Sequence, residues 1–442
     1  MKDGFIKVAA ATNEVFVADV STNLEKIKAI IADAAREGSK ILVFPELCLC
    51  GYSCRDIFFQ ESLLEACEKA LEDLIKYSSA YDMLIAVGLP YEHFGKLYNV
   101  AAVICGGKLL GLVPKKHLPN YQEFYEARQF TKGFDEPVEI LFAGEKTYFG
   151  AKQIFTCDTV KHLKVGVELC EDLWTPNPPS TALAMAGATV ILNLSASDEL
   201  TGKNAYRRQL VLDQSARLYC GYIYASASDS ESTTDVVYSG HNIIAESGSL
   251  LAESKLFSHE VIYSEIDVVA IYQKRMRMST YDINCEGYHF SSFSLKPVDT
   301  VITRYIDAHP FVPSDVAKRN KRCEEILDIQ CRGLKKRLAH TNTKAAVIGI
   351  SGGLDSTLAL LVTVRAFDML GLDRKGIIGV TMPGFGTTDR TYDNAVSMIK
   401  KLGVTFKEIS IVDAVTGHFK DIEQSMDLIK QTLDTMTEEG AI

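Results

Sequence analysis

The tightest constraint on this chain is an alternation of short, largely apolar runs with amphipathic runs at helical spacing. Residues 5–10, 41–44, 83–89, 163–169, 189–194 and 221–226 form the apolar runs. Residues 21–36 put Leu24, Ile27, Ile30 and Ile31 on one helical face, with Gly38 as a stop signal, and residues 203–219 also read as helix. A strand that is apolar throughout must be covered on both faces, so this rhythm predicts a layered α/β domain. Two hairpins are expected within it. Residues 98–105 turn at Gly106-Gly107 into 108–113, and residues 241–245 turn at Ser247-Gly248 into 249–253.

The rhythm breaks at about Arg275, which divides the chain into a domain at 1–275, a connection at 276–313 and a second domain at 314–442. In the last of these, Ser314 is expected to cap a helix running to about Leu338. Strands follow at 345–350, 376–381 and 404–411, with helices to Phe367 and over 389–402 between them. Three strands alternating with helices describe part of a Rossmann-like parallel α/β domain.

Acidic residues outnumber basic ones 57 to 47, a net charge of −10 that argues against nonspecific nucleic-acid binding. No apolar run approaches the roughly 20 residues that span a bilayer. The start, MKDGFIKVAAATNEVFVAD, carries acids where a signal peptide is apolar, so a cytoplasmic protein is expected. Its 11 cysteines then read as reduced, buried thiols. Cys48, Cys50 and Cys54 lack metal-ligand spacing and read as packing residues, and no metal site is expected.

Three segments each end a predicted strand on a reactive side chain: VFPELCLCGYS with Glu46, GLVPKKHLPNYQEFYE with Lys115, and VGVELCEDLW with Cys170. Strand ends in α/β folds project into the crevice where ligands bind. A thiol needs a base, which a partly desolvated glutamate supplies, and a lysine beside the pair stabilises a tetrahedral oxyanion. Taken singly, each residue has an ordinary structural explanation.

In the contexts FPE, PK and CED these residues resemble the Glu-Lys-Cys triad of the nitrilase superfamily. More narrowly, PKKHLPNYQEFYEARQF, NLSAS and GKNAYRR are similar to the glutaminase half of the glutamine-dependent NAD synthetases. The resemblance implies a four-layer α-β-β-α sandwich, with Glu46 as general base, Lys115 stabilising the oxyanion and Cys170 as nucleophile. It also implies that Tyr121, Ser197 and Lys203 hold glutamine, with Tyr52 lining the same pocket. Glu171 either pairs with the substrate ammonium or sets the local field.

A second signal is SGGLDS, which follows an apolar strand and opens a helix. Its glycines let backbone N–H groups converge on an anion at the positive end of the helix, and Ser351 and Ser356 add hydroxyls. The Walker A lysine is missing, so P-loop γ-phosphate hydrolysis is not expected. The loop resembles the pyrophosphate-binding loop of ATP pyrophosphatases, and VTMPGFGTTDRTYDNA resembles its NAD synthetase form. The resemblance implies ATP binding at Gly349, Ile350, Ser351, Gly352, Gly353, Leu354, Asp355 and Ser356.

Together these imply glutamine hydrolysis feeding ammonia to a second reaction, in which ATP with Mg²⁺ adenylates deamido-NAD and ammonia displaces AMP to give NAD. Glutamine, ATP and deamido-NAD are the implied partners, in a homo-oligomer with no tightly bound cofactor and no nucleic acid or membrane. Only 91 residues follow Ser351 in this 442-residue chain, and QTLDTMTEEGAI does not read as a finished buried strand. A synthetase part shorter than the family's is therefore expected, with an unpaired sheet edge. The competing reading is a stand-alone carbon-nitrogen hydrolase of a small amide, carrying an inactive nucleotide-binding domain. A third reading has SGGLDS sensing ATP without synthesis.

Overall fold

The computed structural model describes residues 1, 3–425 and 427, which divide into two compact units, one within Met1–Tyr305 and one beginning at Ile306. The first unit begins with β1 (Phe5–Ala11), α1 (Val20–Arg36), β2 (Ile41–Val43), α2 (Glu61–Ser78), β3 (Leu84–His93), β4 (Lys96–Cys105) and β5 (Lys108–Pro114). It continues through α3 (Glu126–Gln129), β6 (Val138–Phe142), β7 (Glu145–Phe149), β8 (Gln153–Cys157), β9 (Lys164–Leu169), α4 (Pro179–Met185) and β10 (Val190–Ser195). It closes with α5 (Lys203–Leu218), β11 (Gly221–Ser226), β12 (Ile243–Glu246), β13 (Ser249–Glu253), β14 (Val261–Asp267), α6 (Val268–Arg277) and β15 (His289–Phe293).

Two sheets result, of eight strands in the order β14-β1-β2-β3-β4-β5-β7-β6 and seven in the order β13-β12-β11-β10-β9-β8-β15. The period-two alternation of side chains shows how they stack. Along β1, Ile6, Val8 and Ala10 pack with Val165, Val167, Leu192 and Ile223 of the second sheet. Ala9 and Ala11 turn the other way, onto Leu24, Ile27 and Ile31 of α1 and Leu71 and Leu74 of α2. On the far side, Ile191, Tyr222 and Tyr224 pack under Leu183 of α4 and Val211 of α5. The unit is thus a four-layer α-β-β-α sandwich, as the resemblance implied. Truncating Ile27 or Ile31, both fully buried, should cost about 2–5 kcal/mol.

Both expected hairpins form, β4–β5 and β12–β13, with positive φ at Gly106, Gly107, Ser247 and Gly248. Cys48, Cys50 and Cys54 sit in the core beneath α1 and α2. The expected connection at 276–313 needs correction. Its HFSSF run pairs in parallel with β8 as the edge strand β15. Thr300 donates to the Phe5 carbonyl at 2.7 Å, and the Arg304 guanidinium donates to Glu246 at 2.8 Å, so residues through Tyr305 belong to the first unit.

The second unit comprises α7 (Val316–Thr341), β16 (Ala346–Gly349), α8 (Leu354–Leu370), β17 (Ile377–Thr381), α9 (Asp389–Leu402), β18 (Thr405–Glu408) and α10 (Val412–Asp421). Asp315, rather than Ser314, caps α7, accepting from the Lys318 N–H at 2.8 Å. The three strands are parallel in the order β16-β17-β18, over a core of Leu338, Leu360, Val364, Phe367 and Ile399. Among the described residues β16 and β18 each lack a second neighbour, and Val347 on β16 is 69% exposed. The polar stretch QTLDTMTEEGAI lies outside the described residues. No described helix is long and apolar enough to cross a membrane.

Candidate active site

β2, β5 and β9 deliver Glu46, Lys115 and Cys170 just beyond their carboxyl ends. The Glu46 N–H donates to the Ser195 carbonyl at 3.3 Å, tying the end of β2 in one sheet to the end of β10 in the other. Gly88 makes room for this turn, because a Cβ there would lie 2.2 Å from the Leu47 nitrogen. Asp172 joins the lysine segment to the cysteine turn. Its carboxylate accepts from the His117 N–H at 2.9 Å and from the Leu169 N–H at 3.1 Å.

The centre is sealed. Lys115 donates to Glu46 Oε1 at 2.6 Å and to Glu126 Oε1 at 2.5 Å, while Asn99 donates to Glu46 Oε1 at 2.7 Å. Glu46 and Lys115 are buried, as is Glu126. Burial works against the lysine charge, but Glu126 and Glu46 more than offset it and hold the Lys115 pKa well above the ordinary value. Burial pushes Glu126 up to about 7, with Lys115 pulling down and Glu46 pushing up. Glu126 was not singled out from the sequence. Its signal was the last glutamate of EFYE, 11 positions after Lys115.

Cys170 opens a 3₁₀ turn, Cys170–Trp174, with φ +40°, a left-handed conformation uncommon for any residue other than glycine. Its thiol pKa is raised, first by burial and then by the Glu46 charge, with Lys115 and a Ser195 hydrogen bond acting in the opposite sense. The resting group is therefore a thiol, and its proton must leave as it attacks. Glu46 Oε2 is buried without a hydrogen-bond partner, an open acceptor beside the ammonium of Lys115.

Cys170 also lines a cavity of about 390 Å³, together with Tyr121, Glu171, Trp174, Ser197 and Lys203. Three of the four residues expected to hold substrate are thus brought to the thiol. Tyr121 donates to Glu171 at 2.8 Å. Lys203 is paired with Asp198 and lies 5.2 Å from the Trp174 ring centroid. Tyr52 is the exception. It lies outside this cavity, its hydroxyl donates to Glu126, and its ring stands 5.9 Å from Lys115 Nζ, so it braces the charged centre instead.

In the second unit, 351–356 forms the turn from β16 into α8. Ser351 and Ser356 hydroxyls lie 3.1 Å apart, and the Gly353 N–H donates to Ser351 Oγ at 3.3 Å. Gly352 has φ +81°, and a Cβ there would stand 2.1 Å from the Thr391 carbonyl oxygen. Asp355 and Leu354 are exposed, whereas Ile350 is buried and its N–H bonds to Val380 at 2.7 Å, so Ile350 serves the sheet. Gly349 ends β16, where a Cβ would meet the Met382 methyl at 3.3 Å.

The carbon-nitrogen hydrolase family matches residues 7–276, and the NAD synthase family matches residues 326–436. A Mycobacterium bovis protein named glutamine-dependent NAD(+) synthetase is 40% identical over 421 residues, 93% of this chain and 62% of its own length. An Aquifex aeolicus protein of the same name is 30% identical over 411 residues, 93% of this chain and 66% of its own. This chain thus spans less than two thirds of either relative. A solved glutamine-dependent NAD(+) synthetase from Cytophaga hutchinsonii shares the fold at TM-score 0.53 and 22% identity, covering 97% of this chain and 70% of that one.

Proposed function

The chain belongs to the carbon-nitrogen hydrolase family, and on that premise we propose that its first unit releases ammonia from glutamine through Cys170. The thiol attacks the side-chain amide carbon while Glu46 takes its proton. The same proton then goes to the departing nitrogen as ammonia leaves a thioester. Water, deprotonated by Glu46, attacks the thioester and frees glutamate and the thiol. Lys115 faces the oxyanion of both tetrahedral intermediates, and Glu126 keeps it charged and aimed. The observation that carries this is the opening of Cys170 into a cavity beside the sealed Glu46–Lys115–Glu126 cluster.

Glutamine suits the cavity because its head carries both charges. Lys203 and Ser197 take the α-carboxylate, and Glu171, oriented by Tyr121, takes the α-ammonium. The second unit binds ATP on the 351–356 turn and uses the ammonia to amidate adenylated deamido-NAD, giving NAD, AMP and pyrophosphate. The match of residues 326–436 to the NAD synthase family and the names of the two relatives support this. Among the described residues no cluster of three or more His, Cys, Asp or Glu side chains could hold a metal ion unaided. Mg²⁺ enters as part of the ATP substrate, with Asp355 the carboxylate nearest to hand in the turn.

The test is glutamate release by wild type and Cys170→Ala, followed by NAD formation with ATP, Mg²⁺ and deamido-NAD. Hydrolysis abolished in the variant and NAD formed by the wild type is the expected result. Hydrolysis without NAD formation would leave only the amidase. Equal hydrolysis by the two proteins would dismiss Cys170 as nucleophile.

A further inference from the structure

The outer face of the second sheet carries a line of buried polar groups where packing alone would ask for apolar ones. It crosses three adjacent strands and ends on the nucleophile turn. The Cys170 N–H donates to Asn193 Oδ1 at 3.1 Å, and Asn193 Nδ2 donates to the Tyr222 hydroxyl at 3.0 Å. Tyr222 donates in turn to Glu168 Oε1, and Glu168 Oε2 accepts from the Ser180 N–H in α4 at 2.7 Å. Glu168, Asn193 and Tyr222 are all buried. Burial of the carboxylate raises the Glu168 pKa to about 7, so the arrangement is held at a cost.

Above pH 7, where Glu168 is ionised, the line has only one consistent direction. The ionised carboxylate can only accept, and one of its oxygens is already taken by Ser180. The Tyr222 proton must point at the other oxygen, which leaves the phenol oxygen to accept from an N–H of Asn193. The amide of Asn193 is thereby fixed with its oxygen toward the Cys170 N–H. That N–H belongs to the residue with φ +40°, whose strained backbone needs an external hold.

We propose that Glu168 and Tyr222 are positioning residues for Cys170: they set the orientation of Asn193, whose carbonyl oxygen clamps the backbone N–H of the nucleophile turn. The proposal rests on Cys170 as nucleophile, and its test separates the two.

Glu168→Gln reverses the line. The introduced amide must offer its oxygen to Ser180 and its NH₂ to Tyr222. The Tyr222 proton then turns to Asn193, whose amide rotates and presents N–H to N–H at Cys170. At pH 8, the kcat for glutamine hydrolysis by the full chain should fall about 10- to 100-fold, the scale of a small misplacement of a reacting group. KM should stay within about threefold, because Tyr121, Ser197 and Lys203 are untouched. Asn193→Asp alone makes two carboxylates compete for one phenol proton and should lower kcat similarly. The double variant Glu168→Gln/Asn193→Asp satisfies every group again in the reversed direction, with an oxygen restored to the Cys170 N–H. It should return kcat to within about threefold of wild type.

A folded double variant no more active than the poorer single variant overturns the proposal. If the Glu168 variants fail to fold, Tyr222→Phe keeps the ring and frees Asn193. A tenfold or greater loss of kcat at constant KM supports the proposal, and an unchanged kcat overturns it. Glutamine hydrolysis surviving in Cys170→Ala, or absent from wild type, sinks the nucleophile reading and this proposal with it. Hydrolysis lost in Cys170→Ala without rescue in the double variant sinks the positioning line alone.

Discussion

The two units present their reactive groups at the same kind of place, the carboxyl end of parallel strands, yet in opposite environments. In the first, Cys170 is 7% exposed, and Glu46 and Lys115 are closed off behind it. In the second, the turn after β16 opens to solvent, with Leu354 88% exposed. The difference fits the proposed role of each site. Moving a proton between a thiol and a carboxylate is strengthened where water is excluded and each charge acts at low dielectric. A triphosphate brings its own charges and needs exposed N–H groups and hydroxyls that it can claim. Ser351 and Ser356 hydrogen-bond to each other, so their hydroxyls are gathered on the turn.

The sharpest way to break the comparison is to remove the buried cation. Lys115→Met keeps the length of the side chain and leaves Glu46 and Glu126 facing each other with nothing between them. Glutamine hydrolysis should fall by about 10³-fold or more, as expected for losing an oxyanion partner. The urea midpoint at pH 8 should drop by the equivalent of about 3–5 kcal/mol, the usual cost of orphaning a buried charge. A loss of hydrolysis smaller than tenfold would mean that the lysine only braces the fold.

The matching change in the open site acts through backbone shape instead of charge. Gly352→Ala places a methyl 2.1 Å from the Thr391 carbonyl oxygen at φ +81°, so the turn must move. ATP affinity of the full chain, read by titration calorimetry, should weaken about 10- to 100-fold. Gly353→Ala is the control. That residue has φ −85° and ψ 176°, and its nearest neighbour would be Ser351 Oγ at 3.5 Å. It should change affinity less than about threefold, since an alanine fits there without strain. Equal effects of the two variants would show that the conformation of the turn is not what binds the nucleotide.

The same contrast explains what the sequence could disclose. Glu46, Lys115 and Cys170 were legible because each follows an apolar run, and periodicity reports strand ends. SGGLDS was legible because strand, glycines and helix are contiguous. Glu126 was not, because it opens the short helix α3 only three positions after Glu123, and only the tertiary fold decides which glutamate is buried. Tyr52 was misassigned for a related reason. It follows the Glu46 strand closely, but its ring turns to Lys115 and Glu126, away from the cavity. HFSSF, an edge strand partly facing solvent, lacks the continuous apolar pattern that marks the central strands.

The buried carboxylate that the sequence hid also gives the gentlest test, because its charge is net unfavourable to the fold. Burial lifts Glu126 to about 7 from an ordinary 4.5, even with Lys115 pulling it down. Below the ordinary value both folded and unfolded chains hold the proton, and Glu126 contributes no difference. As pH rises toward 7 the unfolded chain has released a proton that the folded chain retains, so stability declines through this window and levels off above it. Glu126→Gln mimics the protonated side chain, keeping an acceptor for Lys115 without the charge. It should raise the urea midpoint at pH 8 by the equivalent of about 1–3 kcal/mol, a gain that shrinks at pH 6 and vanishes near pH 4.5. Glu168 and Glu231, also pushed up by burial, titrate in both proteins, so the difference between them isolates Glu126. A variant less stable than wild type at pH 8 would mean that the Lys115–Glu126 pair contributes more than its burial costs, and that the sealed site is held together by the very charges the desolvation argument counts against it.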